Sequence, residues 1–187
     1  MSALDERICA LDEVRWKIDP TFSVAEFKIK HLMIANVRGL FSAITGTLIQ
    51  NVADPSLSMV EATIPVTTLF SGLPQRDAHL KSPDFLDEQK YPVMTFKSTL
   101  VKTTGTESSE VTGDLFIHGS TRAVTFCVDG LSEPCKDPSG HSRVGFTART
   151  TINRKDFGIN WHAVVEPGRI VVAEEVHIVL DVELIPG

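Results

Sequence analysis

The chain has 187 residues, of which 42% are hydrophobic and 22% are charged, and its formal net charge at pH 7 is −6. This length supplies one domain with a full hydrophobic core and is short for two. The acidic balance excludes a nucleic-acid partner, because proteins that bind the phosphate backbone carry clustered Lys and Arg. No stretch has the ~18 consecutive apolar residues of a membrane-spanning helix, so no integral membrane segment is expected.

The first fifteen residues carry four acidic side chains and no continuous apolar run. They do not resemble a secretory signal, and the sequence as written therefore predicts a cytoplasmic protein. Leu4, Ile8 and Leu11 recur at helical spacing, so residues 1–15 form either a short helix or a frayed terminal extension. We expect residues 16–187 to form a single domain.

The three cysteines, Cys9, Cys127 and Cys135, are an odd number without the spacing of a metal site. This usage suits a reducing compartment, where free thiols are favoured over a Cys127–Cys135 disulfide. The six histidines lie far apart, and the chain has neither a His-Glu-x-x-His motif nor a Cys-x-x-Cys pair. The sequence thus predicts no metal site and no cofactor.

Apolar and polar residues alternate along most of the chain after the first fifteen residues, and most regularly in residues 176–184. The inward parity changes between Val37 and Leu48, which predicts a β-bulge near Ser42 and Ala43. About eight such strands are joined mostly by short turns, without the rhythm of β-α-β units. They predict an all-β, antiparallel sheet that closes into a barrel or packs as a sandwich.

The same alternation assigns side chains to the two faces of the sheet. Met94, Phe96, Ser98 and Leu100 share an inward face, whereas Phe116 falls on the outer face. A Phe on the outside of a sheet favours a contact between subunits.

Residues 67–92 interrupt the strand pattern. Pro74, Pro83 and Pro92 divide this segment into short pieces that are rich in charge and poor in apolar residues. Long loops inside a compact domain are usually lids or binding loops. We therefore expect short helices here, forming a cap over the space that the strands enclose.

Apolar residues on the inward faces and in the cap are candidates for the wall of an internal lumen. An eight-stranded barrel is either filled by its own side chains or holds one ligand. For any single residue, a place in a packed core is the competing interpretation. The lumen candidates are Phe27, Ile29, Phe41, Ile64, Phe85, Met94, Phe96, Leu115, Ile117, Phe126, Phe146 and Ile178.

Charged residues near the cap have three interpretations. They could bind the anionic head group of a ligand, or form an ion-pair network that ties the cap to the barrel. In a pocket enzyme for a small apolar substrate, His79 and Asp77 would be an acid–base pair. The head-group and cap candidates are Arg76, Asp77, His79, Lys81 and Arg154.

Several sequence blocks resemble one known family. They include WKIDP at residues 16–20, VRGLF at 37–41, RDAHLKS at 76–82, GDLFIHG at 113–119 and INRKDFGI at 152–159. These blocks occur in order between Trp16 and Ile185 and are similar to the YceI-like family of lipid-binding proteins.

The resemblance implies an extended, lipocalin-like barrel of eight antiparallel strands. It implies that the lumen binds, stores or transports a long-chain amphiphilic lipid, such as a polyisoprenoid, its quinone or phosphate derivative, or a fatty-acid-like molecule. It also implies a homodimer and no catalytic residue. Many members of the family are periplasmic. A structural dimer whose lumen is filled by side chains is the third alternative, after the lipid carrier and the enzyme.

Overall fold

The computed structural model describes residues 13–162 and 171–187, and most of them lie in antiparallel strands. The single α-helix of this part of the chain is α1 (Pro74–Lys81), and 3-10 turns span Pro55–Leu57, Val66–Thr68 and Arg154–Phe157. The strands are β1 (Glu13–Ile18), β2 (Val24–His31), β3 (Ala35–Phe41), β4 (Thr45–Asn51), β5 (Met59–Pro65), β6 (Val93–Thr103), β7 (Ser108–Ile117), β8 (Ser120–Asp129), β9 (Cys135–Lys136), β10 (Ser142–Asn153) and β11 (Val172–Pro186).

Eight of these strands close into a barrel, in the order β11-β1-β4-β5-β6-β7-β8-β10, with β10 pairing back onto β11. Every pairing in this ring is antiparallel. The predicted eight-stranded antiparallel barrel, with its helix in the cap segment, is therefore confirmed. β1 begins at Glu13, inside the predicted terminal extension, and a helix over the preceding residues would lie outside the described part of the chain.

β11 has two partners along one of its edges. Its other edge pairs with β10 along most of its length. The first edge pairs with β2 from Val172 to Asp181, and then with β1 from Leu184 to Pro186. The β2–β3 hairpin consequently extends the wall in one half of the barrel only. We call this half, which α1 covers, the cap end, and the opposite half, where β1 pairs with β11, the base.

The chain does not form a bulged strand between Val37 and Leu48, and the prediction of a bulge near Ser42 and Ala43 is wrong. β3 ends at Phe41 and pairs with β2, whereas β4 begins at Thr45 and pairs with β1 and β5. Ala43, between them, has a φ of +55°. The change of inward parity therefore marks a step from one strand position to another.

A bulge does occur in β6, where the register with β7 shifts between Ser98 and Leu100. It turns Leu100 outward, to 58% exposure, and brings Val101 inward, to 9%. The inward assignment of Leu100 is therefore wrong. Phe116 faces outward as predicted but is half-buried, because Tyr91 packs edge-on against it at 6.4 Å between ring centroids.

The base is held by a charged network around Arg143 in β10. Its Nη1 donates to Asp19 Oδ2 at 2.7 Å and to Glu183 Oε1 at 2.5 Å, and its Nε donates to Asp137 Oδ2 at 3.0 Å. The backbone amide of His141, then the Arg143 side chain and the Ser139 amide, lower the pKa of Asp137 to about 2. Arg143, followed by the Thr21 amide, likewise lowers the pKa of Asp19.

Two further features bear on the sequence predictions. Cys127 and Cys135 are exposed and unbridged. No helix of residues 13–162 and 171–187 is long and apolar enough to cross a membrane.

Candidate functional site

An elongated cavity of about 640 Å³ occupies the interior of the barrel. It is lined by Arg76, His79 and Trp161 at the cap end, and by Asn51 and Ser108 at the base. Most of the wall between these ends is aliphatic or aromatic. The barrel thus has a continuous apolar interior with polar groups at both ends.

Eleven of the twelve lumen candidates line this cavity. The exception is Ile117, which is buried at 7% exposure in the hydrophobic core instead of facing the open space. It lies beside the β7–β8 turn, where β7 has reached the end of the cavity. Alternation alone assigns Ile117 to the inner face but cannot indicate where along the strand the cavity ends.

Two glycines allow aromatic rings to lie flat against the wall. A Cβ on Gly39 would come within 2.5 Å of the Phe27 ring, and one on Gly113 within 2.5 Å of the Phe96 ring. Phe96 also packs edge-on against Phe126 at 5.1 Å between ring centroids. These rings fill the space that ordinary side chains would occupy and leave the centre of the barrel open.

Helix α1 places three side chains over the cap end of the cavity. Pro74 occupies its first turn, where a missing N–H costs nothing, and Ser82 ends it just before Pro83. Arg76, His79 and Leu80 lie three or four residues apart, so they share one face of the helix, and all three line the cavity.

Ser71 joins the beginning of α1 to the preceding loop. Its backbone N–H donates to Asp77 Oδ1 at 2.8 Å, and its hydroxyl also donates to that oxygen. Arg76 Nε donates to Ser71 Oγ at 2.8 Å, and Arg76 Nη2 donates to Ser71 O. Arg76 and Asp77 thus meet on Ser71, and Asp77 does not line the cavity.

His79 pairs with Asp84 and not with Asp77. Its Nε2 lies 2.8 Å from Asp84 Oδ2. Its ring packs edge-on against Phe85 and Trp161, each at 5.1 Å between centroids. The acid–base pair of His79 and Asp77 that the enzyme alternative requires is therefore wrong, since Asp77 is already bonded to Ser71.

Arg154 is a buried cation beside the cavity, with only 4% of its surface exposed. It donates to the backbone carbonyls of Ala173 at 2.9 Å, Ile159 at 2.6 Å and Val172 at 3.3 Å. Burial lowers its pKa. Within the described residues no carboxylate lies within ion-pair distance of Arg154, so carbonyl dipoles and the more distant charge of Glu174 offset its charge.

Lys81, the remaining cap candidate, points away from the cavity and donates to Thr67 O at 2.6 Å. This hydrogen bond connects the end of α1 to the 3-10 turn Val66–Thr68. No group of three or more His, Cys, Asp or Glu within residues 13–162 and 171–187 could hold a metal ion.

Sequence analysis missed Trp161 and Ser71. Trp161 closes the ring cluster over the cavity, packing on Phe85 at 5.0 Å between centroids. Both residues lie outside regular strands and helices, so no periodicity could have assigned them to a face. A large aromatic residue just after a charged turn was the only signal for Trp161.

The closed barrel and its cavity have counterparts among known proteins. In sequence, a UPF0312 protein of Pseudomonas putida is 41% identical over 146 residues, which is 77% of this chain and 76% of the relative. A UPF0312 protein of Pseudomonas fluorescens is 42% identical over 134 residues, covering 72% of this chain and 69% of the relative.

Solved structures share the fold. The Campylobacter jejuni YceI protein is 25% identical with a TM-score of 0.70, over 86% of this chain and 91% of that one. BcnA of Burkholderia cenocepacia is 22% identical with a TM-score of 0.75, over 89% and 98%. A polyisoprenoid binding domain from Saccharophagus degradans is 15% identical with a TM-score of 0.66, over 93% and 99%.

A model of the YceI-like domain matches residues 16–184, from the middle of β1 to near the end of β11. The match covers all the strands that close the barrel and the helix that caps it. Together with the relatives above 40% identity, it shows that this chain belongs to the YceI-like domain family.

Proposed function

We propose that the protein binds one long-chain amphiphilic lipid inside the barrel and carries or stores it. The observation that carries this proposal is the elongated apolar cavity of about 640 Å³. Its volume lies within the range of ~300–1,000 Å³ of small-molecule sites, which are likewise mostly apolar with a few polar groups. A polar ligand of the same volume would lose its hydration without gaining partners along this wall.

The shape of the cavity favours an extended ligand over a compact one. Along β7, lining residues extend from Ser108 to Leu115, a path of about 24 Å at the usual rise of a strand. An elongated channel of this kind suits a single hydrocarbon chain, as in a polyisoprenoid or a fatty acid, better than a compact molecule of equal volume.

The polar head group would lie at the cap end, near Arg76, His79 and Arg154. Arg154 has no carboxylate partner within the described residues, and two of its five N–H groups make no hydrogen bond there. An anionic head group, such as a phosphate or a carboxylate, would complete the set of partners of this buried cation. The eleven lumen candidates that line the cavity would contact the chain of the lipid.

Binding without turnover is the function that these contacts support. His79 is held by Asp84, and its two aromatic neighbours restrict its ring. Neither a nucleophile nor a second base is bonded to it in the described part of the chain. The polyisoprenoid binding domain from Saccharophagus degradans, which has the same fold, makes an isoprenoid the first ligand to test.

The test is organic extraction of the purified protein followed by mass spectrometry, with native mass spectrometry of the unextracted protein. We expect one bound lipid per chain, released unchanged. A matched control is the Phe96→Trp variant, because the larger ring would fill part of the cavity that Phe96 lines and reduce the bound lipid. Equal amounts of lipid on both proteins would contradict binding in the cavity, and a chemically altered lipid would favour an enzyme.

A further inference from the structure

The tip of the β2–β3 hairpin exposes three consecutive apolar side chains. Leu32, Met33 and Ile34 are 37%, 52% and 85% exposed. Leu32 and Met33 have φ values of +50° and +60°, and Ile34 N–H donates to His31 O at 3.1 Å to close the turn. Gly, Asn and Asp normally occupy such turn positions, so neither conformation nor solvation favours apolar residues here.

The strands that carry this tip are basic in an otherwise acidic protein. Lys28 and Arg38 lie on the outer face of the hairpin and the exposed Lys30 lies at the edge of the cavity, against Glu26 as the one acid between Val24 and Phe41. Lys28 and Arg38 lie directly opposite each other across the two strands. None of these three cations has an ion-pair partner within the described residues.

The like charges of this basic surface lower the stability of the isolated protein. Like charges directly opposite each other in antiparallel strands are destabilising. Glu175 is exposed on the neighbouring part of β11 but does not approach Lys30 closely enough to form an ion pair. An external anionic partner would relieve the repulsion.

The tip adjoins the cap end of the cavity. His31 and Val37, which flank it, line the cavity. Leu32 N–H donates to Val171 O at 2.8 Å, and Val171 is another lining residue. A surface that the tip contacts would therefore lie beside the opening that α1 covers.

We propose that Leu32, Met33 and Ile34 insert into the interface of an anionic lipid bilayer, while Lys28, Lys30 and Arg38 contact its head groups. Exposed apolar residues flanked by basic ones are the combination that binds anionic membrane surfaces. The arrangement positions the cap end of the cavity at the bilayer. This membrane-docking surface adjoins the cap end of the cavity, which Lys30 also lines, and the proposal stands whatever ligand the cavity takes.

A second copy of the chain fits this surface less well. A symmetric dimer through the hairpin tip would bring the same patch of both copies together. The unpaired cations Lys28, Lys30 and Arg38 of the two copies would then face one another and repel. An anionic bilayer supplies the opposite charge as well as an apolar layer.

Flotation with lipid vesicles tests the proposal. We expect the protein to float with vesicles of phosphatidylcholine and phosphatidylglycerol, and much less with vesicles of phosphatidylcholine alone. Ile34→Ser should weaken partitioning about tenfold, because one large aliphatic side chain leaves the bilayer. Lys28→Gln and Arg38→Gln should each weaken it about fivefold, and added salt should do the same.

Leu100→Ser is the matched control, because Leu100 is 58% exposed on the barrel wall, in β6 instead of the hairpin. It should float like the unaltered protein. Met33→Asn removes another apolar residue while placing in the turn a residue that favours positive φ. This variant should fold at least as well as the unaltered protein and still float less.

Two results would overturn the proposal. One is the absence of flotation with anionic vesicles, or equal loss in Ile34→Ser and Leu100→Ser. The other is a sedimentation experiment in which Ile34→Ser converts a dimer into a monomer while vesicle binding is unaffected, which would make the tip a contact between copies. Neither result affects the extraction experiment, so failure of docking and failure of lipid binding are distinguishable.

Discussion

The two halves of β11 have the same alternation of inward and outward side chains, but the inward ones line a cavity in one half and are fully buried in the other. Towards the cap end, Ile178 and Leu180 are partly accessible and line the cavity. Towards the base, Leu184 has no exposed surface and does not line the cavity. All three side chains have the same parity and face the interior. Alternation therefore identifies the inner face, but not whether other side chains fill the space in front of it.

The strand partners account for the difference. At the base, Leu184 lies opposite Ile18 in β1 and Val144 in β10, and all three are at most 5% exposed. Towards the cap end, Ile178 lies opposite Phe27 in β2, whose ring lies over Gly39 and leaves the centre open. The interior around Leu184 is thus packed, although the cavity reaches other parts of the base, whereas the wall around Ile178 faces open space.

Leu184→Ala should have the largest effect and would test whether the interior around Leu184 is packed. A fully buried Leu leaves a void on truncation, so we expect a loss of ~3–5 kcal/mol in the free energy of unfolding. Denaturant unfolding of lipid-free protein measures this loss. The folded fraction should still bind a fluorescent isoprenoid probe normally. A loss below about 1 kcal/mol would contradict tight packing around Leu184.

Phe146→Ala should separate binding from stability in the cavity wall. Phe146 lines the cavity and is only partly buried, so its truncation enlarges a space that already exists. We expect a smaller loss of stability than for Leu184→Ala and about tenfold weaker binding of the probe.

Phe96→Ala, at another half-buried Phe that lines the cavity, should behave like Phe146→Ala. The measurements are thermal unfolding of lipid-free protein and titration with the probe. If both variants unfold while the surviving folded protein binds normally, these side chains are core and the comparison fails.

Asp77→Asn should loosen the cap without removing the cavity. The variant replaces the charge-assisted hydrogen bonds from Ser71 with neutral ones. We expect the probe to leave about fivefold faster, with a small change in equilibrium binding.

Stopped-flow exchange of the probe measures the release rate. Asp54→Asn is the matched control, because Asp54 holds the Ser56 N–H at 3.0 Å in a turn outside the cap. Equal acceleration in both variants would indicate general loosening of the barrel, and no acceleration in Asp77→Asn would show that the cap does not control release.

Strongly acidic solution should weaken the base. The folded-state pKa of Asp137 is about 2, below its ordinary value of 3.8. Its carboxylate therefore stabilises the folded protein fully above about pH 4, and this contribution is lost as the pH falls towards 2. Denaturant unfolding across this range should show falling stability in the unaltered protein and a shallower fall in Asp137→Asn. Identical slopes would contradict a role for Asp137.

The regular strands and their inner face could be predicted because burial on one side imposes a period of two. This is why β11 and the lumen candidates that lie in strands were assigned correctly to the interior. The cap was predictable for a different reason: its prolines and charges break the period. Its helix, α1, forms between Pro74 and Pro83, as these two prolines suggest.

The errors arise where strand pairing or the folding of a loop, and not periodicity, decides the outcome. Leu100 was assigned to the inner face but faces outward, because the register between β6 and β7 shifts by one residue before it. The step at Ser42 and Ala43 depends on which strands β3 and β4 pair with. The partner of His79 was missed because Asp77 and Asp84 are both near it in sequence, and only the folded loop brings Asp84 within 2.8 Å.

The shared edge of β11 gives the barrel a seam. β3 ends the sheet on the cap side, and within the described residues its outer edge is joined only by the bridge between Leu40 and Phe70. The β2–β3 hairpin can therefore separate from the cap while the eight-stranded ring stays paired. Amide protons of β3 should then exchange with solvent through local opening, much faster than those of β7, which is paired on both edges. The hydrocarbon chain of a lipid could then enter the cavity laterally, between β3 and the cap, without passing end-on beneath α1.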